Sequence, residues 1–262
     1  MKNGFLIFLA SFITLGGSWL GFVYEPLRQL GGAEQTTVLN SSDIYPLQRS
    51  GEATLGLQVY RANGCAACHT ESIRQTGVTC NVVLMNAGKN PDAMTNLISS
   101  LVLTNLTKEV ADKAAAQITA AGGKSEIHIV ATGPDIARGW GMRQSVAEDY
   151  LYDQPVQLGS LRAGPDLANI GVRAPDANWQ LTHLYAPSGV VKGSTMPPFR
   201  YLFEVRKTKP GAAPSPDALQ FPKEFVLPDG YEVVPKPEAK QLAAYLLSLR
   251  ANAPLYSAPI SP

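Results

Sequence analysis

A mainly α-helical fold, opened by one membrane-spanning helix and carrying a small α/β insert, is predicted by three observations. Phe5 to Tyr24 reads FLIFLASFITLGGSWLGFVY, a run without a charged residue. Pro237 to Arg250 places Leu242, Tyr245, Leu246 and Leu249 at i, i+3, i+4 and i+7, the stripe of a helix packed on a core. Between Gln75 and Gly139, strand-like segments at Val78 to Leu84 and Glu126 to Val130 flank a helical stretch. Thr107 can cap that helix, which runs from Lys108 to about Ala121 and is closed by Gly122-Gly123.

The first run is long enough to cross a bilayer, since about twenty helical residues span about 30 Å. A secretory leader is the competing reading, but its apolar region is about 7–15 residues and ends in an Ala-x-Ala-like site. This run is longer and has no such site, which favours an uncleaved anchor over residues 1–24. Trp19 and Tyr24 fall where aromatic side chains prefer the headgroup layer. Gly16-Gly17 marks a place where another membrane helix can approach closely. Lys2 sets the start on the cytoplasmic side.

Residues 25–50 are polar and rich in Gly, Ser, Thr and Asn, and read as a tether with little regular structure. The remaining domain covers 51–262, with an insert at 75–139 and a proline-rich surface loop at 207–237. Gly51 to Asn63 reads as a helix with Gly56 and Tyr60 on one face, stopped by Gly64. Arg143 to Asp153 reads as a helix that turns out at Asp153-Gln154-Pro155. Asn178 to Tyr185 reads as another, with Trp179, Leu181 and Leu184 as its apolar positions. The last dozen residues hold three prolines and read as a frayed tail.

The 262 residues can bury a substantial core. A net charge of +1 points to neither nucleic acid nor any other strongly charged partner. Glycine (23) and proline (20) are generous and only 16% of residues are charged, which suits a loop-rich fold rather than a helical repeat.

Chemistry concentrates in Cys65-Ala66-Ala67-Cys68-His69. Cys-x-x-Cys-His is the attachment motif for c-type haem. Two thiols three positions apart add across the two vinyl groups of one porphyrin, and the following His is held beneath the iron as axial ligand. The chain has three Cys and three His, and this pentapeptide takes two of the first and one of the second. A zinc site would need two more ligands from Cys80, His128 and His183, which are widely scattered. A thioredoxin-like pair wants a βαβ context that the pattern lacks. Covalent haem attachment puts everything after Tyr24 outside the cytoplasm. Cys80 reads as a small buried apolar residue, and His128 as structural rather than ligating.

The second axial ligand decides function. His alone leaves one face of the iron open to a gas or substrate, whereas a His/Met pair suits electron transfer. Candidates are Met85, Met94, Met142, Met196, His128 and His183. Met196 is best placed, because Met196-Pro197-Pro198 provides the rigid irregular backbone that a thioether ligand needs. His183 is the runner-up. His69 also needs an acceptor for its other ring nitrogen. The carbonyl of Pro165 in Gly164-Pro165-Asp166-Leu167 can serve, although spacing alone equally allows a plain Gly-Pro turn.

Taken together, Cys-x-x-Cys-His after a Gly/Tyr helix, Gly-Pro-Asp-Leu, Ser194-Thr195-Met196-Pro197-Pro198-Phe199 and an apolar terminal helix resemble a class I cytochrome c. More closely, the chain resembles subunit II of cbb3-type haem–copper oxidases, a mono-haem cytochrome c with one amino-terminal anchor. The resemblance covers the anchor, Tyr60 to Arg74 and Ser145 to Glu204. Its most specific stretches are Glu148 to Pro155, Leu158 to Ala168, and His183-Leu184-Tyr185-Ala186-Pro187.

The resemblance implies a class I cytochrome c fold and one haem c, with thioethers at Cys65 and Cys68 and axial ligation by His69 and Met196. It puts the Pro165 carbonyl on His69, and Gly164, Leu167 and Pro197 around the haem. His183 then lies beside the ligands or at an interface. Such a subunit does not reduce oxygen. It relays electrons from a di-haem subunit or soluble cytochrome to the haem–copper subunit I, on the periplasmic side of the cytoplasmic membrane. A nitric oxide reductase subunit, a stand-alone anchored carrier and a haem sensor with an open sixth position are the alternatives. The 75–139 segment is longer than the family leads one to expect and receives no role from it.

Overall fold

The computed structural model describes residues 3–32, 34–88, 102–209, 213–222, 225 and 227–260. It is mainly helical, with one apolar helix at the start and a small sheet-bearing insert. Helix α1 (Gly4–Trp19) runs through a π turn at Leu20–Tyr24 into α2 (Glu25–Leu30). The stretch Gly4–Arg28, 25 residues at mean hydropathy 1.9, is long and apolar enough to cross a membrane. Phe5, Phe12 and Phe22 project from it, exposed. The π turn has a local cause. Pro26 has no N–H to continue the ladder, and just before it the Glu25 N–H bonds the Leu20 carbonyl, five residues back.

The main core is built where α3 (Gly51–Ala62) crosses the carboxy-terminal helix. Ser50 caps α3 by accepting the Ala53 N–H at 3.2 Å. The two helices meet at Gly56, where an added Cβ would stand 2.8 Å from the Tyr245 Cβ and overlap the Gln241 carbonyl. That close approach brings Tyr60 against Tyr245, ring centroids 5.2 Å apart and planes tilted by 57°. Leu57, Leu242 and Leu246 fill in around them, so the stripe read in the sequence does face the core.

Strands β3 (Gly77–Asn86), β4 (Val102–Leu106) and β5 (Lys124–Thr132) form the insert's antiparallel sheet, in the order β4-β3-β5. Helix α4 (Lys108–Ala120) is capped by Thr107, whose hydroxyl accepts the Val110 N–H. It lays Ala111 and Ile118 on Cys80 and Val82. Cys80 is thus a small apolar residue of the insert's own core. His128 sits opposite Asn81 in the sheet, half-buried, with Nε2 3.7 Å from Glu126. Met94 lies outside the described residues.

The insert returns to the domain through Asp135, which is 1% exposed. Its carboxylate accepts the Arg74 N–H at 2.8 Å and receives Arg162 on both oxygens, at 2.6 and 2.7 Å. Burial alone would raise its pKa, but Arg162 and the Arg74 N–H hold it below the usual value of 3.8. Asp135→Asn removes the carboxylate that Arg162 meets on both oxygens, leaving it Asp166 at 3.6 Å, and is expected to cost about 1.5–3 kcal/mol near neutral pH. A carboxyl with a lowered folded pKa stabilises above its unfolded pKa and loses that effect as pH falls through the folded one. The stability difference between the two proteins should therefore begin to shrink as pH falls below about 3.8 and close only below the lower folded value.

Three expectations need correction. Arg143 to Asp153 contains only a 3-10 turn at Ala147–Tyr150. Its polar groups bond in ways a helix cannot: buried Arg143 pairs with Asp149 six residues on at 2.8 Å and donates to the distant Ala253 carbonyl, and the Gln144 N–H goes to Gln75. The tail is packed rather than frayed, with Ala251, Leu255, Ala258 and Ile260 buried. Pro254 accepts the Leu39 N–H. The proline-rich stretch hides a strand, β7 (Tyr231–Pro235), paired with β6 (Phe203–Lys207) across a long connection.

Ahead of α3, residues 36–50 are clasped to this core. A two-residue ladder joins β1 (Thr36–Thr37) to β2 (Ile44–Tyr45). The Tyr45 hydroxyl donates to Asp149 at 2.6 Å, and Arg49 pairs with buried Asp153.

Candidate functional site

Gly64 ends α3 at φ 65°, the left-handed region that glycine enters freely. The turn Cys65–Ala67 follows, with the Cys68 and His69 N–H groups both bonded to the Cys65 carbonyl, at 3.1 and 3.0 Å. Cys65, Cys68 and His69 line one cavity of about 720 Å³. Cys65 is half-buried and Cys68 exposed, and the two form no disulfide. Burial, reinforced by Glu71 and Cys68, pushes the Cys65 thiol up to about 11.

His69 is oriented from behind. Its Nδ1 lies 2.8 Å from the Pro165 carbonyl oxygen. A carbonyl can only accept, so Nδ1 carries a proton, and in the neutral ring Nε2 is the nitrogen left with a lone pair. Gly164 lies flat against the ring. A Cβ there would overlap it, with Nδ1 at 2.7 Å and Nε2 at 2.9 Å. The segment holding both residues is laced to the motif: Ser160 N–H to Ala66, Gly164 N–H to Cys68 and Leu167 N–H to Thr70. Asp166, wholly buried, accepts the Thr70 hydroxyl at 2.6 Å and the Ser72 N–H at 2.8 Å. This is what the Asp of Gly-Pro-Asp-Leu does: it fixes the chain just after His69.

Gly164, Pro165, Leu167, Met196 and Pro197 line the same cavity. The Met196 loop is held by the Phe199 N–H on the Leu184 carbonyl at 2.9 Å and by the Met196 N–H on the Ser194 hydroxyl at 3.3 Å. His183 also reaches the cavity; Met85, Met142 and His128 do not. Leu167, Leu242 and Leu246 give much of the wall its apolar character. The donor set fits a planar porphyrin: two thiols beside an oriented imidazole, a thioether and an apolar wall. Among the described residues, no group of three or more His, Cys, Asp or Glu gathers as a metal cluster.

Sequence reasoning missed the polar cluster behind the motif. Glu71 is 1% exposed and accepts the Tyr245 hydroxyl on both oxygens at 3.0 Å. Burial, then the charge of Asp153, pushes it up to about 8. A second cavity of about 530 Å³ opens beside it, bordered by Tyr45, Arg49 and Asp153. Nothing local marks Glu71 for burial, because its partners arrive from segments far along the chain. Arg173 and Trp179 line the larger cavity without having been singled out for it. For Trp179 a signal existed, since it stands one turn before His183 on a helix.

Fold and site together describe a mainly helical protein with one helix fit to span a membrane. Cys65, Cys68, His69, His183 and Met196 line one largely apolar cavity. Residues 131–221 match the family model described as cytochrome C oxidase, mono-heme subunit/FixO. The match covers roughly a third of the chain. It includes Pro165, His183 and Met196, and it leaves out the Cys-x-x-Cys-His motif and the anchor. No curated protein matches the chain.

Proposed function

We propose that the chain is a membrane-anchored mono-haem c-type cytochrome, the electron-relay subunit of a cbb3-type terminal oxidase. The observation that carries this reading is the His69 Nδ1–Pro165 carbonyl bond, which turns an imidazole lone pair toward a cavity bordered by two thiols and Met196. Cys65 and Cys68 would form the thioethers, and His69 and Met196 would be the axial ligands, with Gly164, Pro165, Leu167 and Pro197 around the group. Bound there, a haem with His/Met ligation supplies reversible one-electron chemistry at a raised potential.

The rest is the chain's own work. The Pro165 carbonyl fixes the His69 tautomer, Gly164 keeps its ring upright, and the leucine wall excludes water from the pocket. The subunit does no oxygen chemistry itself. It takes electrons from a di-haem or soluble cytochrome c and passes them to the haem–copper subunit I, from the periplasmic face of the cytoplasmic membrane. The match over residues 131–221 and the apolar helix support this assignment.

Purification from the native membrane tests it. The expected result is a porphyrin that survives acid–acetone extraction, with a haem–copper subunit accompanying the chain. Loss of the porphyrin on extraction would end the haem reading. Co-purification with a nitric oxide reductase, or with nothing, would end the oxidase reading.

A further inference from the structure

We propose that the segment Gln154 to Leu161, extended by Tyr152 and Leu47, is the docking face for the haem–copper subunit, which would meet it with an uncharged, apolar surface above the bilayer. The inference rests on the function proposed above and goes beyond it by assigning the contact surface. Val156, Leu158 and Leu161 point outward, 42, 50 and 64% exposed. Large apolar side chains exposed singly need no explanation, but a group of them on one stretch marks a contact site. The segment runs along the motif. The Leu158 carbonyl accepts the Glu71 N–H at 3.2 Å, and the Ser160 N–H donates to the Ala66 carbonyl at 3.0 Å. A Cβ at Gly159 would overlap the His69 carbonyl. At the other end Asp153 pairs with Arg49, and Leu47, 78% exposed, shares the rim of the second cavity with Tyr152. The apolar face thus extends from residues 36–50, which follow the anchor, to the cysteines proposed to carry the porphyrin.

Charge decides which partner the face fits. Gln154 to Leu161 contains no charged residue. The two charged residues that bracket it turn inward: Asp153 to Arg49, and Arg162 to Asp135 at 2.6 Å and the Ser72 carbonyl at 2.5 Å. A soluble partner steered by charge finds nothing here to pair with. A headgroup layer favours surfaces rich in Lys and Arg, and the segment offers neither. Long-lived protein interfaces are depleted of charge at their centre and more apolar than the rest of the surface. The helix Gly4–Arg28 would hold the domain in one membrane, beside integral membrane proteins. Covering the face would also keep water from Cys68, the more exposed of the two cysteines.

The test uses the tagged full-length chain in its native membrane, solubilised in mild detergent and recovered at low salt and in about 1 M salt, which screens charges beyond about 3 Å. The native chain is expected to keep the haem–copper subunit under both conditions. Leu158→Asp and Leu161→Asp each bring an unpaired carboxylate into the contact. Recovery of the subunit should fall at least tenfold, while covalent haem and the melting temperature of this chain are retained. Val110→Asp, at a similarly exposed position on α4, is the control and should change nothing. A photoreactive p-benzoylphenylalanine in place of Leu161 should cross-link to the haem–copper subunit, which a remote loss of packing would not produce. The proposal is overturned if the Asp variants recover as much of the subunit as Val110→Asp does. It also fails if the cross-link forms only to lipid or to a second copy of this chain, or if the native chain loses the subunit at high salt alone, since the contact would then be ionic. A native chain that brings no haem–copper subunit at either salt removes the oxidase reading itself, and this face with it.

Discussion

Replacement of Met196 by Ala is expected to leave the porphyrin attached, open one axial position and lower the midpoint potential. The attachment apparatus does not depend on the Met196 loop. Cys65, Cys68 and His69 are braced by the segment 158–167 through the Ala66, Cys68 and Thr70 carbonyls. The loop is held separately, by Leu184 and Ser194. Met196 is only half-buried, so the folding cost should fall below the ~2–5 kcal/mol of a fully buried Met→Ala change. The redox effect is the large one. Axial ligands move haem potentials over ~0.8 V, and loss of a thioether removes a ligand that favours the reduced state. Redox titration and a carbon monoxide difference spectrum measure both effects. A variant spectrum identical to the native one would place the ligand elsewhere.

Gly164→Ala should be the most damaging single methyl group near the cavity. The added Cβ overlaps the His69 ring and comes within 2.7 Å of Nδ1, the atom engaged by Pro165. Neither partner can retreat cheaply. The Gly164 N–H is bonded to Cys68 and the Leu167 N–H to Thr70, so the segment cannot swing out without breaking its lacing. Overpacking of this kind costs about 1–3 kcal/mol before the lost hydrogen bond, which adds about 1 kcal/mol. Thermal melting of the loaded protein should show the loss, and its absorption spectrum should report a disturbed imidazole ligand. Gly51→Ala is the control. A Cβ at Gly51 meets nothing within 4 Å, and the change is expected to stay within about 0.5 kcal/mol.

What could be read from the sequence was what is local. Helix α3, the capped α4 and the stripe of the terminal helix (α5, Pro237–Ser248) are set by spacing and caps within a dozen residues. Cys65 to His69 is likewise local, because the motif is complete within five residues. Pro165 was left open between two readings because its contact with His69 spans 96 residues. The Arg143 to Asp153 helix failed for the opposite reason. Its local pattern was helical, but Arg143 and Asp149 spend their hydrogen bonds on each other and on Ala253, and the backbone follows. Strand β7 was concealed by distance from its partner, and Glu71 by the origin of its burial in α3 and α5. Long-range polar contacts leave no period in a sequence.

The clasp of residues 36–50 alters what sort of traffic this protein can handle. A leash of roughly 26 residues would let a domain wander over about 28 Å. Fastened at Tyr45 and Arg49, residues 36–50 lie against the domain and add no slack to it. A courier visiting two clients in turn needs the longer leash. This domain is moored instead; if it relays electrons as proposed, charge would be delivered by a visitor and depart across one standing junction.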